Sequence, residues 1–459
     1  MNYIKTIKFF TLVLHLATFV AYTAQEITIP KIDQVGQDGR NALQRAIATN
    51  QKSLIQALLE RGADANVTDD DSNTPLYMAA EKGQLDVVKL LINHNASVDL
   101  ENNDGLTPLK IAVEKNYVDI VQELIHHHAD PNIWDNERKT PLYAAVENEN
   151  LEMVRLLLSH PDIDINTSEL SDDIDTPLLL AINEGLLKIF EELITKGADV
   201  NVINGNGHNA LLAAVENQDL EIVKILLEKK DIALNIQTKE KQETALYIAV
   251  EDGSFDIALA LLKAGADINM QNYKGYTPLY KAVKKMNLPM VIALLSNENI
   301  DVNLTTRSHL TPLYKAVKKN YVDIAYLLLQ AGANPDIQDK KNGASPIHRA
   351  IENQNEDILQ NLIDFEADVN LPDQYGFTPL HRAIKSRNLK NIKILLDAQA
   401  NPNVQNKKGQ TLLHKAIKND DWKIAKVLLA GGADPTIKDQ EGHIAQDFAK
   451  TSKTKALFR

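Results

Sequence analysis

The chain has 459 residues, 44% hydrophobic and 24% charged, the balance of a folded chain rather than a disordered one. It contains no cysteine, which excludes disulfides, thiolate metal sites and a cysteine nucleophile together. The formal net charge of −13 hides two opposed parts: residues 270–459 hold 27 Lys and Arg against 19 Asp and Glu, a net of +8, which leaves −21 for residues 1–269. Such asymmetry bears on partners rather than on fold.

At the N-terminus, Lys5 and Lys8 precede an uncharged, mostly apolar run from Phe9 to Tyr22, followed by Thr23 and Ala24. The run is short of the ~20 residues that span a bilayer. A basic opening, an apolar stretch and small residues form the order of a secretory signal peptide, so residues 1–24 predict export to the periplasm or beyond. The alternative is an uncleaved N-terminal membrane anchor. Residues 25–37 are polar, contain Pro30 and read as a linker.

The remainder repeats one unit, seen plainly from Thr311 to Asn334. Thr311 can cap a helix through its hydroxyl, and Pro312 suits the first helical position, where no N–H is needed. Leu313 and Ala316 share a face, Asn320 and Tyr321 make a break, and Val322, Ile324, Ala325, Leu327 and Leu328 of a second helix are expected to face inward at helical spacing. Gly332 supplies a left-handed residue to end the second helix, and Asn334, Pro335 and Asp336 turn the chain into the next copy. The Thr311 position recurs at Asn41, Thr74, Thr107, Thr140, Thr176, Asn209, Thr244, Thr277, Ser345, Thr378 and Thr411, mostly 33 residues apart. Twelve full copies span 38–438, and 439–459 hold a truncated thirteenth that reads as a C-terminal cap. Gln44, Arg45 and Gln56 make the first copy more polar, as an N-terminal cap requires.

The pattern T-P-L-x-x-A followed by L-L-x-x-G-A-D-x-N, as in TPLYMA (74–79), TPLHRA (378–383) and LLKAGADIN (261–269), resembles the ankyrin repeat. The resemblance covers about nine-tenths of the chain. It implies an all-α ankyrin-repeat solenoid of stacked helix–turn–helix–hairpin units, and a protein-binding role through a concave groove and the hairpin tips. Length changes fall in loops, around Ser168 to Asp173 and Ile232 to Lys241. Where Gly is replaced at the end of the second helix, Asn95 and His128 are tolerable, but Glu366 and Gln399 should cost stability.

No phosphate loop, zinc-protease helix, nucleophile elbow or kinase set occurs, so the reading is of a non-enzyme without cofactor or metal. His126, His127 and His128 are adjacent and cannot converge on one ion from a helix. His348, His381 and His414 share one repeat position with Tyr77, Tyr143, Tyr247, Tyr280 and Tyr314; in the family it ties neighbouring hairpins. The N-x-S/T triplets at Asn66, Asn95, Asn166 and Asn303 lie where the repeat itself wants Asn.

Charge sorted by repeat position is more informative. In repeats two to seven the residue seven places after the Thr311 equivalent reads Glu81, Glu114, Glu147, Asn183, Glu216 and Glu251, and in repeats eight to twelve Lys284, Lys318, Glu352, Lys385 and Lys418. Four places after it, Met78, Ile111, Ala144, Leu180, Ala213 and Ile248 give way to Lys281, Lys315, Arg349, Arg382 and Lys415. The candidate contact residues are Tyr273, Tyr276, Lys281, Lys284, Lys315, Lys318, Arg349, Arg382, Lys385 and Lys415, facing a partner protein with an acidic surface. The chain is expected to be a monomer. It is similar to exported ankyrin-repeat proteins of intracellular bacteria, which implies action on a host protein. A periplasmic structural or chaperone-like role stands beside this, and a nucleic-acid role for the basic half is disfavoured by the acidic half.

Overall fold

The computed structural model describes residues 33–166 and 175–459; the signal-peptide expectation, most of the linker and the Ser168 to Asp173 insertion lie outside the described residues. The chain divides into two compact units, Met1–Ala214 and Val215–Arg459. Among the described residues the regular structure is helical, with one isolated antiparallel bridge between Lys438 and Ile444.

In the first unit, five helix pairs run from Ala42–Ala48 and Lys52–Glu60 to Pro177–Asn183 and Leu187–Thr195. In the second, helix pairs run from Ala245–Asp252 and Phe255–Lys263 to Leu412–Lys418 and Trp422–Ala430. The truncated copy follows as a 3-10 turn, Ala445–Phe448, and a short helix, Ser452–Lys455. There Thr454 is fully buried and the Thr451 hydroxyl donates to Asp420 at 2.6 Å, so a polar seal replaces the second apolar helix.

Each first helix starts as its residues dictate. The Thr311 hydroxyl accepts from the Tyr314 amide at 3.0 Å with Pro312 at the first turn, and Asn41 does the same for Gln44 at 2.8 Å where Thr-Pro is missing. Such a cap contributes about 1 kcal/mol. The face carrying Leu313, Ala316 and Val317 is closed to solvent, as are Ala325 and Leu328 of the second helix. Along the runs from repeat 1 to repeat 5 and from repeat 7 to repeat 11, a first helix packs on its own second helix and on the first helix of the neighbouring repeat, as at Pro278–Lys284 against Pro312–Lys319. One repeat alone has no way to bury both faces, which is why the unit exists only in a stack.

The polar ladder between repeats uses the loop asparagines. The Ser97 amide donates to the Asn66 side chain at 2.7 Å, the Asp199 amide to that of Asn166 at 2.8 Å and the Asn334 amide to that of Asn303 at 2.7 Å, so three of the N-x-S/T asparagines are rungs of the fold. Hairpins are tied backbone to backbone, for example Asn136 N–H to Asp104 O at 3.0 Å and Gln374 N–H to Asn342 O at 3.0 Å. The shared His/Tyr position adds a side-chain tie: Nε2 of His348 meets Phe377 O at 3.1 Å, and Nε2 of His414 meets His443 O at 3.1 Å.

Gln44 departs from its reading as a polar capping residue. It is wholly buried, and its amide donates to Val67 O at 3.1 Å and Asn73 O at 3.0 Å, the same tie made with a different side chain. Glu366 and Gln399 do sit in the left-handed region, at φ of 63° and 65°, where Gly332 stands at 85°.

Candidate functional site

The basic face lies within repeats 8 to 12, counted from Thr277 to Thr411, all in the second unit. Its cations fall into two groups that the sequence does not separate by residue type alone. Arg349 is spent inside the chain: it reaches Asp339 at 2.9 Å, Glu352 at 2.5 Å and the Tyr314 hydroxyl at 2.5 Å. Burial pushes the Asp339 carboxyl up, but the Tyr314 hydroxyl, the Asn342 amide and Arg349 outweigh it and hold it at about 2. Arg382 is bound to Asp373, with Nε at 3.1 Å, and its guanidinium lies 5.5 Å from the Phe377 ring centre. Lys281 is buried, paired with Glu251 and 5.6 Å from the Tyr247 ring centre. These three candidates hold the stack together.

The other cations remain open. Lys284, Lys318, Lys385 and Lys415 are exposed, and Lys315 is half-buried. Burial first, and then the neighbouring Lys319, Lys284 and Lys318, push the Lys315 ammonium below its ordinary value. Like charges held together in this way favour a counter-anion. Tyr276 lies beneath Lys284, 5.0 Å from ring centre to Nζ, and against Tyr280 at 4.6 Å between ring centres. Tyr273 carries Lys274 at 4.9 Å. Half-exposed rings beside ammoniums supply apolar contact next to charge, the mixture that suits an interface.

The residue that decides which cation is free sits in the hairpin. Arg349 and Arg382 face Asp339 and Asp373, whereas the corresponding hairpin residues before Lys315 and Lys415 are Thr306 and Asn406. Asn272 stands there before Lys281, which turns to Glu251 instead. The sequence carried this signal, though only the fold shows that the hairpin residue and the helix residue meet. His126 ends a second helix and His127 Nε2 lies 3.3 Å from Glu123, beside His128 in the left-handed region.

The family description "Ankyrin repeats (3 copies)" matches the chain in overlapping segments from 14–102 through 178–272 to 347–439. The protein belongs to the ankyrin-repeat family. Among curated relatives, the NF-kappa-B p105 subunit of Gallus gallus is 32% identical over 140 residues, covering 29% of this chain and 14% of that protein. Phosphocholine transferase AnkX of Legionella pneumophila is 29% identical over 142 residues, covering 30% of this chain and 14% of the enzyme. The B-cell lymphoma 3 protein homolog of Mus musculus is 34% identical over 124 residues, covering 26% of this chain and 28% of its own. The ankyrin domain of Bcl-3 superposes on 48% of this chain and all of its own, at a TM-score of 0.43 and 24% identity. The matched ankyrin segments thus span between a seventh and about a quarter of these relatives. Ankyrin repeats serve as protein-interaction modules. Among the described residues, no helix is long and apolar enough to cross a membrane.

Proposed function

We propose that this ankyrin-repeat protein is a non-enzymatic, monomeric scaffold, exported by residues 1–24, that holds an acidic partner protein against the open lysines of repeats 8 to 12. One observation carries this reading: Lys284, Lys315 and Lys318 crowd one another without a carboxylate, while the nearby Arg349 is neutralised by Asp339 and Glu352. A cationic patch left uncompensated in an otherwise acidic chain is complementary to a negative partner. The tyrosine rings beside these lysines, Tyr273 and Tyr276, add the apolar contact area that anchors a protein surface.

The test is affinity capture with the full chain and with a variant carrying Glu at Lys284, Lys315, Lys318, Lys385 and Lys415. A protein retained by the first and lost by the second supports the reading. Equal capture by both removes it, and a nucleic acid retained with steep salt dependence replaces it. Export is tested separately, by fractionation and N-terminal sequencing of the mature chain.

A further inference from the structure

The stack is opened on one side between repeats 11 and 12. Hairpins are tied by Lys340 N–H to Ser308 O, Gln374 N–H to Asn342 O and Gln440 N–H to Lys408 O, at 3.2, 3.0 and 3.0 Å. The step between them, from the Tyr375 hairpin to the Lys407 hairpin, has no such bond among the described residues. A Cβ placed on Gly343 or Gly409 would lie 2.8 Å from the amide of the following hairpin, yet one placed on Gly376 would meet nothing within 4 Å. First helices pack closely along the run from repeat 7 to repeat 11, but Pro379–Lys385 and Leu412–Lys418 do not. His381 departs from its equivalents in the same way. Its Nδ1 accepts from the Thr378 amide at 3.3 Å and lies 2.8 Å from the Thr378 hydroxyl, but its Nε2 reaches no carbonyl among the described residues.

The far side of the same step is closed. The second helices Leu389–Asp397 and Trp422–Ala430 pack closely, and a Cβ on Gly431 would lie 2.6 Å from Leu396. Other repeats carry a side chain at the Gly431 position, such as Lys196, Ala264 or Phe365. Its absence lets the second helices approach while the first helices separate. The result is a cleft of about 490 Å³ floored by Leu412 and Ala416, with Phe377 at one edge and Lys385 and Lys415 at the mouth. That volume lies in the range of ligand sites.

Because Nδ1 accepts the Thr378 amide, a neutral His381 ring carries its proton on Nε2, the unpartnered nitrogen. The cleft therefore presents one neutral N–H donor, two ammoniums unpaired among the described residues and an apolar floor, beside Arg382 and Arg387, whose charges are met by Asp373 and Asp421. We infer that it is the anchoring pocket of the basic face, taking a large apolar side chain of an extended acidic protein segment whose flanking carboxylates meet His381 Nε2, Lys385 and Lys415. This rests on the acidic-partner reading above and adds the side chain that partner must supply. Apolar burial is what a flat row of lysines lacks, and a single anchor in a preformed pocket dominates affinity.

Fluorescence anisotropy of labelled Glu-Glu-Phe-Glu-Glu and Glu-Glu-Ser-Glu-Glu with the full chain tests it. The Phe peptide should bind about tenfold more tightly. Phe377→Ser and Lys415→Glu, both at exposed positions, should each erase most of that difference, and circular dichroism checks that they fold. Equal affinity of the two peptides, with both weakened by Lys284→Glu and Lys318→Glu, overturns the pocket and leaves the basic face standing. Failure of both peptides to bind overturns pocket and face together. Tighter binding of an oligothymidylate of equal charge overturns the assignment to a protein segment.

Discussion

Lys110 Nζ lies 2.9 Å from the Asp135 carboxylate, with the lysine side chain only 1% exposed and Asp135 buried. The same ammonium reaches Lys139 O at 3.0 Å and Thr140 O at 3.4 Å, so a charge stands where other repeats use His348 or His414 to tie the next hairpin. A buried pair is costly to break from one side, because the remaining charge is left without a partner. Lys110→Ala should therefore destabilise the chain by about 3 kcal/mol. Lys110→Tyr, the residue at this position in five other repeats, should cost less. Denaturant melts of both variants check the order; an equal loss would mean that the charged tie to Asp135, which neither residue supplies, carries the whole effect.

Gln399 holds φ of 65° at the end of a second helix, where Gly62 and Gly332 stand in other repeats. A side chain there is crowded by its own backbone, and a Cβ at Gly332 has open space around it, so nothing compensates through packing. Gln399→Gly should raise the unfolding midpoint, by about 1 kcal/mol in stability. An unchanged or lower midpoint in urea would overturn this.

Two histidines make the fold sensitive to mild acid. Burial lowers the His348 pKa against the pull of Phe377 O, and burial together with Lys415 lowers that of His381 to about 4 against the pull of Asp373. Both fall below the ordinary 6.5, so below that pH the unfolded chain takes up protons first. Their contribution is present above 6.5 and lost as pH falls below it, for His381 down to about 4. Asp339, held at about 2, keeps its contribution throughout that window, because it titrates below the ordinary 3.8. The thermal midpoint should drop by several degrees from pH 7 to pH 5. The drop should be smaller in the His348→Gln, His381→Gln double variant, and an equal drop would place the acid sensitivity elsewhere.

The cations of the basic face should separate into two behaviours. Arg382→Ala leaves the Asp373 carboxylate, whose side chain is shut from solvent, without its partner, so it should lower stability by about 2–3 kcal/mol. Lys318→Ala removes an exposed ammonium with no partner among the described residues and should leave the melt unchanged within about 0.5 kcal/mol. Binding to an acidic partner should show the reverse order once the Arg382 variant is compared below its melting range. Loss of stability in the Lys318 variant would mean that its stem packs more than its exposure implies.

The repeat period, the Thr-Pro helix starts, the apolar faces and the left-handed helix ends of Glu366 and Gln399 were all readable from residue order, because each depends on neighbours within one turn. The switch from Glu251 to Lys284 was readable too, since repeats place equivalent residues on one face. Which cations are free was not. That depends on Asp339 meeting Arg349 and Asp373 meeting Arg382 through the hairpin, while Thr306 and Asn406 leave Lys315 and Lys415 open. The cleft lay further still from the sequence, which reads TPLHRA and TLLHKA as nearly the same. Only the stacked structure shows that step to differ: the second helices close on Leu396 at Gly431, while the first helices stand apart around His381. Local chemistry fixes each unit, and the angle between units is set by contacts that exist only once they are stacked.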